Sequence, residues 1–294
     1  MTALTRRDRF WITLSEQLDR RVLAHVTSQR VLRALFALSA RAGSALPPDC
    51  TPIRDAEGTM WIRPKSVAPD APVLLYIHGG GFTLGSPRSH AALAAHLARA
   101  AGLRAVLPRY RLAPDHPFPA AREDVIAAYT RLVEAGTPPA AIAGDSAGGC
   151  LALLTLQHAR AQGLPLPRAM ALIGPLGDLS GDIASRFAAA PRERLIPPQW
   201  AARIRAAYLP GHDPADPAVS PLMGNLGGLP PTLIQAGSDE ALADDARRIA
   251  AAMDEAQLDL WPELPHVWHL HAGRMPAADR ALAAMGAFLK AQLP

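Results

Sequence analysis

Ala140-Ala141-Ile142-Ala143-Gly144-Asp145-Ser146-Ala147-Gly148-Gly149-Cys150-Leu151 lies at the middle of the chain. The apolar run 140–143 ends on a glycine and reads as a buried strand. The stretch from Cys150 to Ala161 is mostly apolar and reads as a helix. Between the two lies G-x-S-x-G, the pattern of a strand–turn–helix elbow that lifts a serine above a sheet. So tight a turn needs small residues on both sides of the serine. Gly144 and Gly148 supply them, and Ala147 and Gly149 are small too. The elbow presents the Ser146 hydroxyl as a nucleophile. It also sets the Ala147 N–H at the start of a helix, where it can stabilise an oxyanion.

Working outward, short apolar runs alternate with longer helical stretches. Val73–Ile77, 105–107, 169–173, 232–235 and 258–261 read as strands. Segments 93–103, 121–133, 241–253 and 277–289 read as helices. This alternation predicts an α/β fold: a mostly parallel central sheet with helices on both faces. Ligand sites in such sheets lie beyond the carboxyl ends of the strands, so active residues are expected in strand-to-helix loops. Two segments depart from the alternation. Residues 1–45 read as helical, with Phe10, Leu14, Leu18, Val22 and Val26 spaced by four, and Gly181 to Tyr208 reads as helical without a strand. Together they are a candidate helical cap on a single domain spanning 1–294.

The chain has 294 residues, of which 49% are hydrophobic, enough to bury a sizeable core. Its formal net charge is +4, but the arginines are scattered and Lys65 and Lys290 are the only lysines, so no nucleic-acid surface is indicated. Cys50 and Cys150 are too few for a disulfide framework. Cys150, at the head of an apolar helix, is expected to pack as a small hydrophobe. No run is long and apolar enough for a membrane span, and the polar start, 1–9, does not read as a secretory signal. A cytoplasmic location is the expectation.

His78-Gly79-Gly80-Gly81-Phe82 follows the strand Val73–Ile77 and matches an oxyanion loop of the HGGG type. Glycines let the backbone approach a substrate closely. Gly80 and Gly81 are the expected N–H donors, with Ala147 as a third; His78 is expected to hold the loop rather than to react. A phosphate-cradling loop would want a helix N-terminus at once and usually a lysine nearby, and neither is evident.

HGGGF at 78–82, Tyr110-Arg111-Leu112-Ala113-Pro114 with His116-Pro117-Phe118-Pro119-Ala120-Ala121, and GDSAGG at 144–149 together resemble the hormone-sensitive-lipase-like branch of the α/β-hydrolases. Asp213-Pro214, Asp216-Pro217, Ser220-Pro221-Leu222 and Gly228-Leu229-Pro230-Pro231 continue the resemblance, which covers roughly residues 60–290. It implies a serine carboxylesterase for short-chain acyl esters with a Ser–acid–His triad, no cofactor, and a small-molecule ester as partner. Relatives often dimerise, so a homodimer is a further expectation.

Triad order on this fold is serine, acid, histidine. The acid should follow the strand 232–235, where Gly237-Ser238-Asp239-Glu240-Ala241-Leu242-Ala243-Asp244-Asp245 stands. Aligned on Leu242 and Asp244, the family's pattern puts the acid at Glu240. Most relatives have Asp there, and Asp239 is the alternative if the loop shifts by one residue. Asp244 and Asp245 are expected to charge the first turn of the next helix. The base should follow 258–261, where His266, His269 and His271 compete. His266 comes first and resembles the family's His-x-aromatic pattern through Trp268. A zinc site at these histidines is disfavoured, because the nearby acids are already taken by the triad. Two rivals use the same features. An amidase or peptidase would share the triad and differ in leaving group. A non-catalytic ligand receptor, as in plant hormone receptors that resemble this family, would lose the histidine, which is present here.

Overall fold

The central runs Val73–Ile77 and Ala169–Ile173 are unbroken, apolar and buried throughout, as strands covered on both faces require. The computed structural model describes residues 3–190 and 192–293. Its strands are β1 (Cys50–Arg54), β2 (Met60–Pro64), β3 (Val73–Ile77), β4 (Arg104–Leu107), β5 (Ala141–Asp145), β6 (Ala169–Ile173), β7 (Thr232–Gly237) and β8 (Ala256–Trp261). They form one sheet in the order β1-β2-β4-β3-β5-β6-β7-β8. β2 runs antiparallel to β1 and β4; every pair from β4 to β8 is parallel. The expected α/β architecture is therefore present.

Alternation along β3 shows how two cores arise. Leu75 and Ile77 face one side, where they join Ile142, Leu172 and Ile234 under α5 (Ala120–Glu134), α6 (Ala147–Ala161) and α9 (Ala243–Ala252). Leu74 and Tyr76 face the other, with Leu93 and Leu97 of α4 (Ala91–Ala101) and Leu282 and Met285 of α10 (Pro276–Ala291). Each such fully buried Leu or Ile contributes about 1.5–3 kcal/mol.

Two departures from the sequence reading stand out. First, β1 and β2 were not expected. Their residues read Cys-Thr-Pro-Ile-Arg and Met-Trp-Ile-Arg-Pro, short and proline-marked, and proline is admitted only at sheet edges or strand ends. β1 is that edge and lies mostly open to solvent. Second, the elbow's strand runs on through Asp145, and its helix starts at Ala147 rather than Cys150. The turn therefore consists of Ser146 alone.

Helices fill most of 6–43: α1 (Arg6–Leu14) passes through a π-helical turn (Ser15–Asp19) into α2 (Arg20–His25), and α3 (Gln29–Gly43) follows. The spacing of four does not mark its buried face. Phe10 and Leu18 are exposed, while Ile12, Ser15 and Leu23 are buried. A π turn inserts a residue and rotates the face that follows it, so a single stripe cannot persist through both halves. Segment 181–208 supplies α7 (Ile183–Ala188) and α8 (Pro198–Tyr208). Arg203 of α8 donates to the carbonyl of Val26 at 3.1 Å and to that of Leu23, which joins the two segments. No helix among the described residues is long and apolar enough to cross a membrane.

α1 is fixed to the far end of the chain by one carboxylate. Asp8 closes a capping box with Thr5 and also accepts the Ala277 N–H of α10 at 2.8 Å. Its side chain is fully buried. Asp8→Ala would leave buried donors on both helices unpaired, at about 1–3 kcal/mol each. We expect a loss of about 2–4 kcal/mol in denaturant-induced unfolding of the protein, with Asp8→Asn intermediate.

Candidate active site

The backbone around Ser146 is held in a conformation that side chains avoid. Ser146 has φ 52° and ψ −120°, and its N–H donates to the Ile173 carbonyl of β6 at 2.8 Å. Strain of this kind persists only where the surroundings over-determine it. Here they do so by proximity. A Cβ on Gly144 would lie 2.4 Å from the Gly148 carbonyl oxygen, and one on Gly148 would lie 2.1 Å from that of Ile77. The small residues around the serine are thus required by contact.

The loop after β3 lies beside this elbow. Gly80 and Gly81 have φ +115° and +59°, a region open to glycine. Among the described residues, the N–H groups of Gly80, Gly81 and Ala147 make no backbone hydrogen bond. His78 is where a loop-holding residue should be. Its ring stacks on Tyr110 at 4.1 Å, and Tyr110 Oη donates to its carbonyl at 2.6 Å. Burial, with His90 adding to it, pushes His78 down to about 3, so the ring is neutral.

Asp145, the second residue of GDSAGG, was not singled out from the sequence. It is fully buried, accepts from Tyr76 Oη at 2.7 Å and from the Gly79 N–H at 3.0 Å, and lies 3.4 Å from His90 Nε2. Burial raises its carboxyl, but His90, Tyr76 and His78 outweigh this and hold it below the usual carboxylate value. Asp145 therefore ties the glycine loop after β3 to the turn at Ser146 as an anion. It also explains the first glycine of the loop: a Cβ on Gly79 would lie 2.1 Å from Asp145 Oδ2.

The competing acids separate in space. Glu240 is buried, with Oε1 3.1 Å from His266 Nδ1 and Oε2 accepting the Gly237 N–H at 3.0 Å. Asp239 points elsewhere, 3.2 Å from Arg192 Nη1. The three histidines separate as well. His269 Nε2 lies 3.0 Å from Gln235 Oε1, and His271 contacts Ser15 Oγ and the Gly43 carbonyl. Burial pushes those two to about 3 and about 4. His266 differs. Burial lowers it, but the Glu240 carboxylate, with Glu193 and Asp145 further off, more than compensates and raises it above the ordinary histidine value. Its Nε2 has no hydrogen-bond partner among the described residues. Ser146, His266, Gly80 and Gly81 line one cavity of about 400 Å³, roofed in part by Trp200 of α8 and Leu32 of α3.

Three further carboxylates support this arrangement, and the first of them has no mark in the sequence. Glu193, in the loop between α7 and α8, is buried and accepts the N–H of Ala241, next to Glu240, at 2.9 Å. Asp245, expected as a first-turn helix charge, does more. It is buried, accepts the Gly177 N–H after β6 at 2.9 Å, pairs with Arg186 of α7 at 3.1 Å, and burial pushes it up to about 6. Asp124, at the start of α5, accepts the Arg111 N–H at 2.8 Å and its guanidinium, and so fastens the segment that carries Tyr110. Cys150 is buried as expected.

A sheet of this order, with a strained serine after β5, a glycine loop after β3, a carboxylate after β7 and a histidine after β8, defines an α/β-hydrolase. Residues 74–270 match the sequence model of a family described as alpha/beta hydrolase fold. The chain is 45% identical over 236 residues to an acetyl-hydrolase of Streptomyces hygroscopicus, which covers 78% of each. A crystal structure of an esterase from the bacterial hormone-sensitive lipase family superposes with a TM-score of 0.90 at 35% identity over the whole of both chains. A crystal structure of EstE5 soaked with p-nitrophenyl butyrate gives 0.87 at 32% identity over 99% of both. The chain belongs to the hormone-sensitive-lipase-like family of α/β-hydrolase esterases.

Gly174, directly after β6, is pressed against both members of the His266–Glu240 pair. It has φ +47°, and a Cβ there would lie 2.7 Å from Glu240 Oε1 and 2.9 Å from His266 Nδ1. We expect Gly174→Ala to push the pair apart and to lower kcat for p-nitrophenyl acetate by about 100-fold, the scale of a 1 Å misplacement. Circular dichroism should show the fold retained.

Proposed function

We propose that this esterase is a serine carboxylesterase for short-chain acyl esters, working through an acyl-enzyme on Ser146. The observation that carries the reading is the buried Glu240–His266 contact opening on the cavity that contains Ser146. Glu240 holds the imidazole with Nδ1–H toward itself, which leaves Nε2 as the base. His266 takes the Ser146 proton as Oγ attacks the ester carbonyl. The N–H groups of Gly80, Gly81 and Ala147 receive the oxyanion. His266 then protonates the departing alcohol. Water, deprotonated by the same nitrogen, releases the acid and restores Ser146. Asp239, drawn toward Arg192, takes no part in this reading.

The segments 1–45 and 181–208 act as the cap of the single domain. They supply most of the cavity's apolar wall, and Glu193 links the second of them to the acid's loop. A short acyl chain suits a cavity of about 400 Å³ that must also admit the alcohol. The acetyl-hydrolase relative and the relative soaked with a butyrate ester support the same choice.

Two measurements test the reading. On p-nitrophenyl esters, turnover should peak between acetate and hexanoate and fall to background in Ser146→Ala; a peak at long chains contradicts the substrate class, and turnover surviving in Ser146→Ala contradicts the nucleophile. The second is a pH profile. A base works when deprotonated, and His266 is raised above the ordinary value, so kcat/KM should rise through a pKa above that of free imidazole. Glu240→Gln should shift this limb downward and lower kcat by about 10³- to 10⁴-fold, whereas Asp239→Asn should leave the limb in place.

A further inference from the structure

The cavity that holds Ser146 is apolar over most of its wall, yet the side built by the N-terminal helices carries a carboxylate. Asp19 closes the π-helical turn between α1 and α2 and lines the cavity with Ser15 and Ser39. Turns of this type recur at functional sites, because the inserted residue re-aims its neighbours. Ser39 Oγ of α3 donates to Asp19 Oδ1 at 2.9 Å. His271 is neutral, and its Nδ1–H is directed at the Gly43 carbonyl at 3.2 Å. Its Nε2 is then an acceptor for the Ser15 hydroxyl at 3.1 Å. The single Ser15 proton serves either His271 or Asp19, so Ser39 is the donor to Asp19 that is not shared with another acceptor. Among the described residues no cation pairs with Asp19; the nearest acid on the same turn, Glu16, faces Arg194 at 3.8 Å. Burial accordingly raises its carboxyl above the ordinary value, only partly offset by Ser39 and Ser15.

A carboxylate drawn into an apolar wall without a cation costs stability unless something binds it. Leu14 and Leu18 on the same helical segment also line the cavity, so an apolar side chain at position 19 would continue the wall they form. We propose that Asp19 is a specificity residue that receives a hydrogen-bond donor at the distal end of the substrate, so that the preferred esters are short chains ending in a hydroxyl or a cationic nitrogen rather than a methyl group. Oδ2, free of the Ser39 bond, is the accepting atom. This deepens the esterase reading and rests on it.

The test uses the whole protein and two ester series. One is p-nitrophenyl esters of butyric, hexanoic and octanoic acids, each compared with chains of the same length ended by hydroxyl or guanidinium. The other is acetates of straight-chain alcohols against mono-acetates of the matching diols. In an all-apolar cavity the methyl-ended ester wins at every length. With Asp19 as receptor, a donor-ended ester should win at one length, in one of the two series, by about tenfold or more in kcat/KM, carried by KM. Asp19→Leu should reverse that ratio. Asp19→Asn should keep the hydroxyl preference and lose the guanidinium preference, which separates the two donors. The ratio within one variant does not depend on how much of it folds, and a purely structural role for Asp19 would move all esters together. Methyl-ended esters winning throughout, or an unchanged ratio in Asp19→Leu, overturns the assignment while leaving the esterase reading intact. No turnover of any ester by the unmodified protein overturns the esterase reading and this assignment with it.

Discussion

Backbone pressed against backbone, with no room for a Cβ, is the constraint on which the rest of this structure depends. Three loop tips, after β3, β5 and β6, meet at Ser146. Gly148 lies against the carbonyl of Ile77, Gly79 against Asp145, and Gly174 against the Glu240–His266 pair. These contacts exist because β3, β5, β6 and β7 are successive neighbours in the sheet. The loops that leave their carboxyl ends therefore start within reach of one another. The sheet order brings the segments together, and the glycines let them close the last ångström.

Closure of that kind concentrates charge. Asp145, Glu240 and Asp245 are all buried under these loops, and each is spoken for differently. Asp145 is held ionised by a tyrosine hydroxyl, a backbone N–H and a nearby histidine, while Glu240 is engaged by His266 and the Gly237 N–H. Asp245 has an arginine and two backbone N–H groups and still sits high, at about 6, because burial dominates. A buried carboxylate with well-directed donors specifies geometry more than it adds stability. Here that geometry links the loop after β3 to the turn at Ser146, His266 to Glu240, and α7 to the loop after β6.

Much of this was readable in the chain because the decisive signals are local. An apolar run, a G-x-S-x-G turn and an apolar helix are contiguous, and so are the residues of HGGGF. The parallel core of the sheet follows from runs such as Val73–Ile77 that need no partner to be recognised. What was not readable depends on residues far apart in sequence. The β1–β2 pair is short and proline-marked, and only pairing with β4 makes it sheet. Asp239 and Glu240 are adjacent carboxylates, equivalent on paper; Arg192 and His266, from distant segments, draw them in opposite directions. Glu193 sits in a stretch with no motif. The spacing of four in the first helices promised one apolar face, and the π turn at Ser15–Asp19 broke it, an event that no periodicity announces.

The fastening of α1 to α10 through Asp8 and Ala277 has a consequence for how the molecule is made. The partners are separated by nearly the whole chain, so on the ribosome the first helix emerges long before its dock exists. The sheet core can collect in order as its strands appear, but the wall of the cavity on that side must wait for α10. Until then Ile12, buried against Trp268 and Ala278 in the finished fold, has no partner there. This side of the cavity is thus completed later in synthesis than the strands of the sheet beneath it.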